Sequence, residues 1–298
     1  MSSKRLDLDH LQTLLVLMES KSFNEAGARI GLAQSTVSQH LRHLEETLGT
    51  PLIIRGQRGC KPTAAAMRLI PYAKSLLRLE LRVVNAAAGG TLNLGACSNI
   101  GIYVLPRLIR EFERAGGQPP ALSIGSNPEV VRNLEAGEID AALLEWWDER
   151  DGFHWQAWCT EPLVVIVAPG HPLTDARAVS REELAKMALI GGEYGTGTGQ
   201  LLRSYFGDAP MPSVSMRLGS TEAVKRAVEA GLGASLVLAC AVEQEVRAGR
   251  LHAIPMRDHP LQKSLRLVWR NDLPGDHPLI NYLGRVAAKS SARSQRDC

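Results

Sequence analysis

Residues 22–48 constrain the fold more than any other stretch of the chain. Ser22 is followed three residues later by Glu25, the spacing of a helix-starting capping box, and Ala26, Ile30 and Leu32 supply a packing surface. Gly31 then stands where a left-handed residue would end one helix and turn the chain into the next. Val37, Leu41, Leu44 and Leu48 recur at helical spacing as one apolar stripe, which predicts a second helix buried on that side alone. Its other face holds Gln34, Ser35, Thr36, Ser38, Gln39 and Arg42, short or forked donors and acceptors that suit base edges and phosphates in a major groove.

An ordinary amphipathic hairpin with a wet polar face would show the same spacing, so the neighbouring residues matter. Residues 51–63 place two short apolar arms around a glycine-flanked basic turn. Such a wing would carry Arg55, Arg58 and Lys61 along a phosphate backbone. Charge is divided the same way: residues 1–90 hold 12 Lys/Arg against 7 Asp/Glu, net +5, and residues 91–298 hold 22 against 24, net −2. A basic head on a mildly acidic body fits a nucleic-acid reader joined to something that leaves nucleic acid alone.

With 298 residues and 45% apolar content the chain can bury at least two cores, which predicts two or three domains. No apolar run approaches the ~18 residues of a membrane span, and residues 1–7 lack the apolar core and cleavage site of a signal peptide. The expectation is a cytoplasmic protein. Five widely spaced cysteines with no C-x-x-C pair predict free thiols and no zinc site.

Leu8, Leu11, Leu15 and Met18 predict a first helix over residues 7–20. Thr63 after Pro62 opens a long helix carried to about Ala88, with Ile70, Ala73, Leu77, Val84 and Ala87 near a seven-residue rhythm and a kink expected at Pro71. Such a stripe belongs either to a plain surface helix or to one with a partner. Beyond Gly89-Gly90 the pattern alternates: strands at 91–96, 121–125 and 139–144 with helices at 103–114 and 128–136. This βαβαβ order predicts a parallel sheet flanked by helices. A second such unit follows from Leu163, beginning with a run apolar on both faces. It contains a helix near 181–186, a strand at 188–190 and helices from about 200 and over 221–230. A strand at 233–238, another at 264–269 and a terminal helix at 280–288 complete it.

The run from Phe23 to Gly49, the wing and the helix behind it resemble the LysR-type transcriptional regulators, including the Ser38-Gln39-His40-Leu41-Arg42-His43-Leu44-Glu45 stretch, and later segments such as Leu218 to Lys225 match as well. One departure is Ala33, where the family usually places a capping Ser; losing that cap costs about 1 kcal/mol unless Ser35 or a shifted start compensates. The resemblance implies an α/β protein overall. It would have a winged helix-turn-helix at 1–62, a linker helix at 63–90 and an effector-binding domain at 91–298. That domain would comprise two α/β subdomains of periplasmic-binding-protein type, subdomain I at 91–163 and 266–298 and subdomain II at 164–265, with strands crossing a hinge near Leu163 and Leu265. It further implies a homodimer or homotetramer paired through antiparallel linker helices, double-stranded operator DNA as partner, RNA polymerase as a further partner for an activator, and a small-molecule effector.

In open parallel sheets, ligands lie beyond the carboxyl ends of the strands, at helix N-termini. Three loops qualify: Cys97-Ser98-Asn99 after the first strand, Ser126-Asn127 after the second, and Tyr194 to Gly199 in the second unit, with Gly197 and Thr198. Each is also ordinary helix-capping chemistry. Together they predict a polar cleft for a small polar or anionic molecule; Thr221 either faces it or caps its own helix. The glycine spacing fits neither a phosphate loop nor a dinucleotide site, and no cofactor is expected. Trp146, Trp147, Trp155 and Trp158 serve packing near the hinge, ligand stacking or a dimer contact, and Cys97 is a structural thiol or an oxidant sensor.

Three function classes compete. An enzyme on the two-subdomain body lacks a Gly-x-Ser-x-Gly elbow, a metal-spaced His pair or a Cys with an obvious His partner. A small-molecule-binding protein accounts for the second half alone. A DNA-binding regulator accounts for both halves.

Overall fold

The computed structural model describes residues 5–20, 22–56, 59–87, 90–192, 195–257, 260–273 and 275–294. Two units divide the chain at Gly90, residues 1–90 and 91–298.

The first unit packs α1 (Leu8–Ser20), α2 (Phe23–Ile30) and α3 (Gln34–Leu48) around Leu11, Leu14, Leu17, Ala26, Val37, Leu41 and Leu44, all nearly inaccessible to water. Ser22 caps α2 by accepting from the Glu25 N–H, and Gly31 ends it at φ 72°, a conformation in which a Cβ would be strained. Ala33 precedes α3 with no side-chain cap, so neither Ser35 nor a shifted start replaces the missing hydroxyl. Thr13 Oγ1 meets His40 Nδ1 at 2.9 Å, tying α1 to α3. The wing is an antiparallel pair, β1 (Ile53–Gly56) and β2 (Gly59–Pro62). Glu45 near the end of α3 holds it, accepting from the backbone N–H groups of Leu52 (2.6 Å) and Ile53 (3.2 Å). Thr63 then starts α4 (Ala64–Ala87) by accepting from the Ala66 N–H while donating to the Pro51 carbonyl. The helix runs through Pro71 as one element. Of the expected seven-residue rhythm Ala73 is spent in the core while Val84 is exposed, and Tyr72, Leu76, Leu79 and Val83 form an exposed seam beside it.

In the second unit β3 (Asn93–Cys97) leads through a π-helical turn, Ile100–Val104, into α5 (Leu105–Arg114). Then come β4 (Ala121–Gly125), α6 (Asn127–Glu135) and β5 (Ala141–Leu144). Strand β6 (Phe153–Val167) is followed by α7 (Arg181–Ala185), β7 (Ala188–Gly191), α8 (Thr198–Phe206), β8 (Ser213–Arg217), α9 (Thr221–Glu229) and β9 (Ser235–Leu238). The chain closes with α10 (Glu243–Arg247), β10 (His252–Ile254), β11 (Gln262–Arg270) and α11 (Pro278–Ser294).

The three strands of the βαβαβ order form the parallel sheet expected, and two further strands extend it into a mixed one. β4, β3 and β5 are parallel neighbours, but β11 joins β5 antiparallel and β6 joins β11 antiparallel. The returning strand forces this, because it re-enters the first layer from the second and runs back between β5 and β6. Strand β6 serves two layers: its residues 153–162 pair with β11, and from Leu163 onward it pairs with β9 and β10. Beyond Leu163 both its faces are buried, Leu163, Val165 and Val167 in one core cluster and Val164 and Ile166 in another. Its first half carries one fully buried anchor, Trp158, whose indole N–H donates to the Leu283 carbonyl on α11. The first layer with α5, α6 and α11 makes up subdomain I, and the second layer with α7 to α10 makes up subdomain II.

Candidate functional site

On α3 the apolar stripe faces inward and leaves a continuous polar surface. Gln34, Ser35, Gln39 and Arg42 are exposed, and Thr36 and Ser38 are half-buried beside them. Gln34 Nε2 donates to Ser38 Oγ at 3.0 Å, one helical turn away. Lys61 is exposed on β2. Arg55 lies on β1 opposite Cys60 by backbone register, its side chain outside the described residues, and Arg58 lies outside them altogether. Behind this face, His10 packs against His40 and His43, ring centroids 4.4 and 5.8 Å apart. Burial, followed by the charges of its two neighbours, holds the His10 imidazole below its ordinary value despite Asp7 and Asp9.

Between subdomains I and II lies a cavity of about 640 Å³. Of the loop residues expected at a cleft, Asn99, Asn127, Gly197, Thr198 and Thr221 line it. Cys97, Ser98 and Ser126 do not; they brace its wall. Buried Cys97 donates through Sγ to Asn127 Oδ1 (3.0 Å), Ser98 donates to the Gly125 carbonyl, and Ser126 caps α6. For Ser98 and Ser126 the next residue in sequence, Asn99 and Asn127, is the one turned to the cavity, and Cys97 ends β3 one position earlier. Tyr194 of the glycine loop lies outside the described residues. Thr221 is no cap: Ser220 fills that role, and Thr221 Oγ1 donates to Asn99 Oδ1 at 2.7 Å from across the cleft.

Sequence reasoning missed the charged part of the lining. Arg132 and Arg150 border the cavity from subdomain I, Arg203 and Arg217 from subdomain II, and Lys263 from the start of β11. Arg150 is tied to Asp148 at 2.7 Å and to Glu135, and those two hydrogen bonds raise its already high pKa further. The N-terminus of α8 opens on the same space through Gly197, with no side-chain cap on its N–H groups. Trp146 is the cavity's aromatic wall; Trp147 and Trp158 are core, and Trp155 stacks under Arg266. The glycines are required by proximity: a Cβ on Gly195 would sit 2.5 Å from Pro128 Cγ, and one on Gly197 3.2 Å from Trp146 Cβ. Both have φ above +70°.

A second polar joint links the subdomains away from the cavity lining. Lys225, buried, contacts Glu222 (2.6 Å) and Glu245 (3.0 Å), donates to the Ala241 carbonyl (3.0 Å) and lies over the Tyr103 ring. Tyr103 of the π-helical turn donates to Glu222. Burial would raise the Glu222 carboxyl, but the hydrogen bonds from Lys225 and Tyr103 outweigh it and leave it lowered. Beside this joint burial, reinforced by Glu161, pushes the Cys159 thiol up to about 12, and the same causes raise Cys240. Such thiols are held protonated, the opposite of a reactive cysteine.

Residues 8–67 match the family described as bacterial regulatory helix-turn-helix protein, lysR family, and residues 85–285 match the LysR substrate binding domain. The chain belongs to the LysR family. It is 31% identical over 302 residues to the HTH-type transcriptional regulator CbbR of Sinorhizobium medicae, covering 97% of this chain and 95% of that one. To the same-named regulator of Rhizobium meliloti it is 31% identical over 295 residues, covering 95% and 93%. The solved structure of full-length CbnR with its target DNA superposes with a TM-score of 0.71 at 18% identity, covering 96% of this chain and all of that one, a likeness of fold. The protein is therefore a DNA-binding transcriptional regulator of the LysR type, with an N-terminal helix-turn-helix and a two-subdomain α/β effector-binding domain. Among the described residues no helix is long and apolar enough to cross a membrane.

Proposed function

We propose that this regulator answers to a small anion held in the cavity between its two subdomains. The observation that carries the reading is the cavity's charge: Arg132, Arg203 and Arg217 line it beside the uncapped N-terminus of α8, while the Glu135 carboxylate on the same lining is tied to Arg150. Cations and unpaired N–H groups around one space favour an anionic guest. Asn99, Asn127, Gly197, Thr198 and Thr221 supply the neutral hydrogen-bonding groups that orient it.

On the DNA side, Gln34, Ser35, Thr36, Ser38, Gln39 and Arg42 meet base edges and nearby phosphates, and Arg55, Arg58 and Lys61 meet the backbone. The seam of Tyr72, Leu76, Leu79 and Val83 repeats at four, three and four residues, the spacing of a coiled-coil stripe. It supports pairing of α4 with its copy in a homodimer, the unit from which a tetramer would be built. The domain limits follow as 1–62, 63–90 and 91–298. The protein works in the cytoplasm as a regulator and not an enzyme, and touches RNA polymerase where its operator makes it an activator. Ligand binding shifts the subdomain arrangement by its differential affinity for the two states.

A gel-shift titration with the protein's own promoter region, run with Gln39→Ala and Arg42→Ala variants, tests the DNA face. A thermal-shift screen of small organic acids and phosphate esters tests the cavity, with Arg203→Gln and Arg217→Gln as controls. A ligand that stabilises both variants as well as the parent sinks the anionic reading.

A further inference from the structure

The floor of the cavity is a continuous chain of hydrogen bonds that passes from one subdomain to the other and back. Thr221 of subdomain II donates to Asn99 Oδ1 of subdomain I (2.7 Å), and Asn99 Nδ2 donates to Glu145 Oε1 (2.8 Å). Lys263 Nζ donates to Glu145 Oε2 (2.5 Å) and to the Thr196 carbonyl of subdomain II (2.8 Å). The Lys263 and Glu145 side chains are 5% and 1% exposed. Lys263 stands near the point where β11 returns to the first layer, and Glu145 immediately follows β5. Two charges this deep persist only as a pair, so the floor is electrically neutral although it contains a lysine.

The other joint differs in one respect. Lys225 has three acceptors within 3.0 Å, Glu222, Glu245 and the Ala241 carbonyl, which match its three N–H groups. Lys263 has two acceptors among the described residues and lines the cavity. Its remaining N–H suits an incoming acceptor. Asn99, Thr196 and Thr221 line the cavity too, so a guest meets four members of the chain at once.

We propose that the Lys263–Glu145 pair, through the Lys263 bond to the Thr196 carbonyl, is the latch that holds the two subdomains together at the cavity floor, and that Lys263 reads an uncharged oxygen of the ligand, a hydroxyl, carbonyl or amide. This rests on the reading of the cavity as the effector site, and it divides the ligand's recognition: its anionic group belongs with the arginines of the lining and its neutral polar end with the floor. A guest that takes the third Lys263 N–H completes the ammonium's three donors beside Glu145 and the Thr196 carbonyl and thereby biases the latch toward its closed state.

The test uses the full-length protein without ligand. The double variant Glu145→Gln, Lys263→Met removes both charges and nearly keeps their volume, so no lone buried charge remains. Amide hydrogen exchange at residues 195–199 and 221–223 is expected to quicken at least ten-fold, with residues 8–56 unchanged. Exchange within two-fold of the parent at those segments overturns the latch. Thr221→Val cuts the chain without touching a charge, and keeps the test alive if the double variant fails to fold; it is expected to quicken the same segments about three-fold, and an unchanged pattern counts against the latch equally. Inorganic phosphate, a bare anion, provides the separating arm. Its affinity is expected to fall ten-fold or more in Arg203→Gln and to stay within two-fold in the double variant, and the reverse ranking overturns the division between lining arginines and floor. No phosphate response in the parent overturns the anionic reading of the cavity and leaves the exchange result to decide the latch.

Discussion

The polar face of α3 and the cavity of the second unit are both polar surfaces laid over apolar cores, yet they are built in opposite ways. The α3 face draws six side chains from nine consecutive residues, and helix periodicity alone sorts them from Val37 and Leu41 beneath. The cavity draws Asn99, Trp146, Thr196, Thr221 and Lys263 from five separate segments spread over more than half the chain. A contiguous surface tolerates loss of any one member. A surface assembled from distant loops holds its shape only while the contacts between those loops persist.

The largest effect should come from breaking such a contact. Glu145→Ala leaves Lys263 buried without its partner, a loss of about 3–5 kcal/mol, and calorimetry should show the second unit melting roughly 10 °C lower. Gln39→Ala should leave the melting curve in place and weaken operator binding by about 1–3 kcal/mol, read by gel shift. If Gln39→Ala melted early, or Glu145→Ala did not, the contrast between the two surfaces would collapse. Gly197→Ala sharpens it: a left-handed backbone costs about 1–2 kcal/mol with a Cβ, and that Cβ would press on Trp146. We expect lower stability and a red-shifted tryptophan emission. Ala33→Ser restores a cap on α3 and should raise stability of the first unit by about 0.5–1 kcal/mol in a denaturant titration. The smallest effect concerns His10. Its folded pKa lies below the ordinary 6.5, so the unfolded chain takes up the proton first as pH falls. Stability should be full above 6.5 and decline below it, a slope that His10→Gln removes in pH-dependent unfolding.

The same contrast explains what could be read from sequence. The two helices at 22–48, the wing and the long helix announce themselves by local spacing, and Gly31, Ser22 and Thr63 mark their ends. The βαβ units were legible from apolar runs at Leu94, Ile139 and Val164. The first half of β6 was not, because Phe153 to Pro162 mixes His, Gln, Thr, Glu and Pro and buries one residue, Trp158, completely. Strand β8 alternates only Val214 and Met216 between polar residues and is exposed at all five positions, too short a signal to stand out. At the cavity, strand ends and helix starts pointed to the right loops, but a single residue decided which side chain faced inward, as with Ser98 against Asn99. Arg132, Arg203 and Arg217 carry no local mark; they look like any exposed arginine until the fold sets them around one space. Lys263 does carry a local signal, a lysine beside the start of a buried strand, where charge is expensive unless partnered.

Glu45 acts on a larger scale than its two hydrogen bonds suggest. By fastening the backbone of Leu52 and Ile53 to the end of α3, one carboxylate makes the helix and the wing a single rigid tool with one fixed gauge. Such a tool cannot trade groove contact against backbone contact within a half-site. In the proposed dimer, differences between operators would be absorbed by the distance and tilt between copies, so competing sites would be ranked by how far apart their halves lie rather than by the local width of the groove.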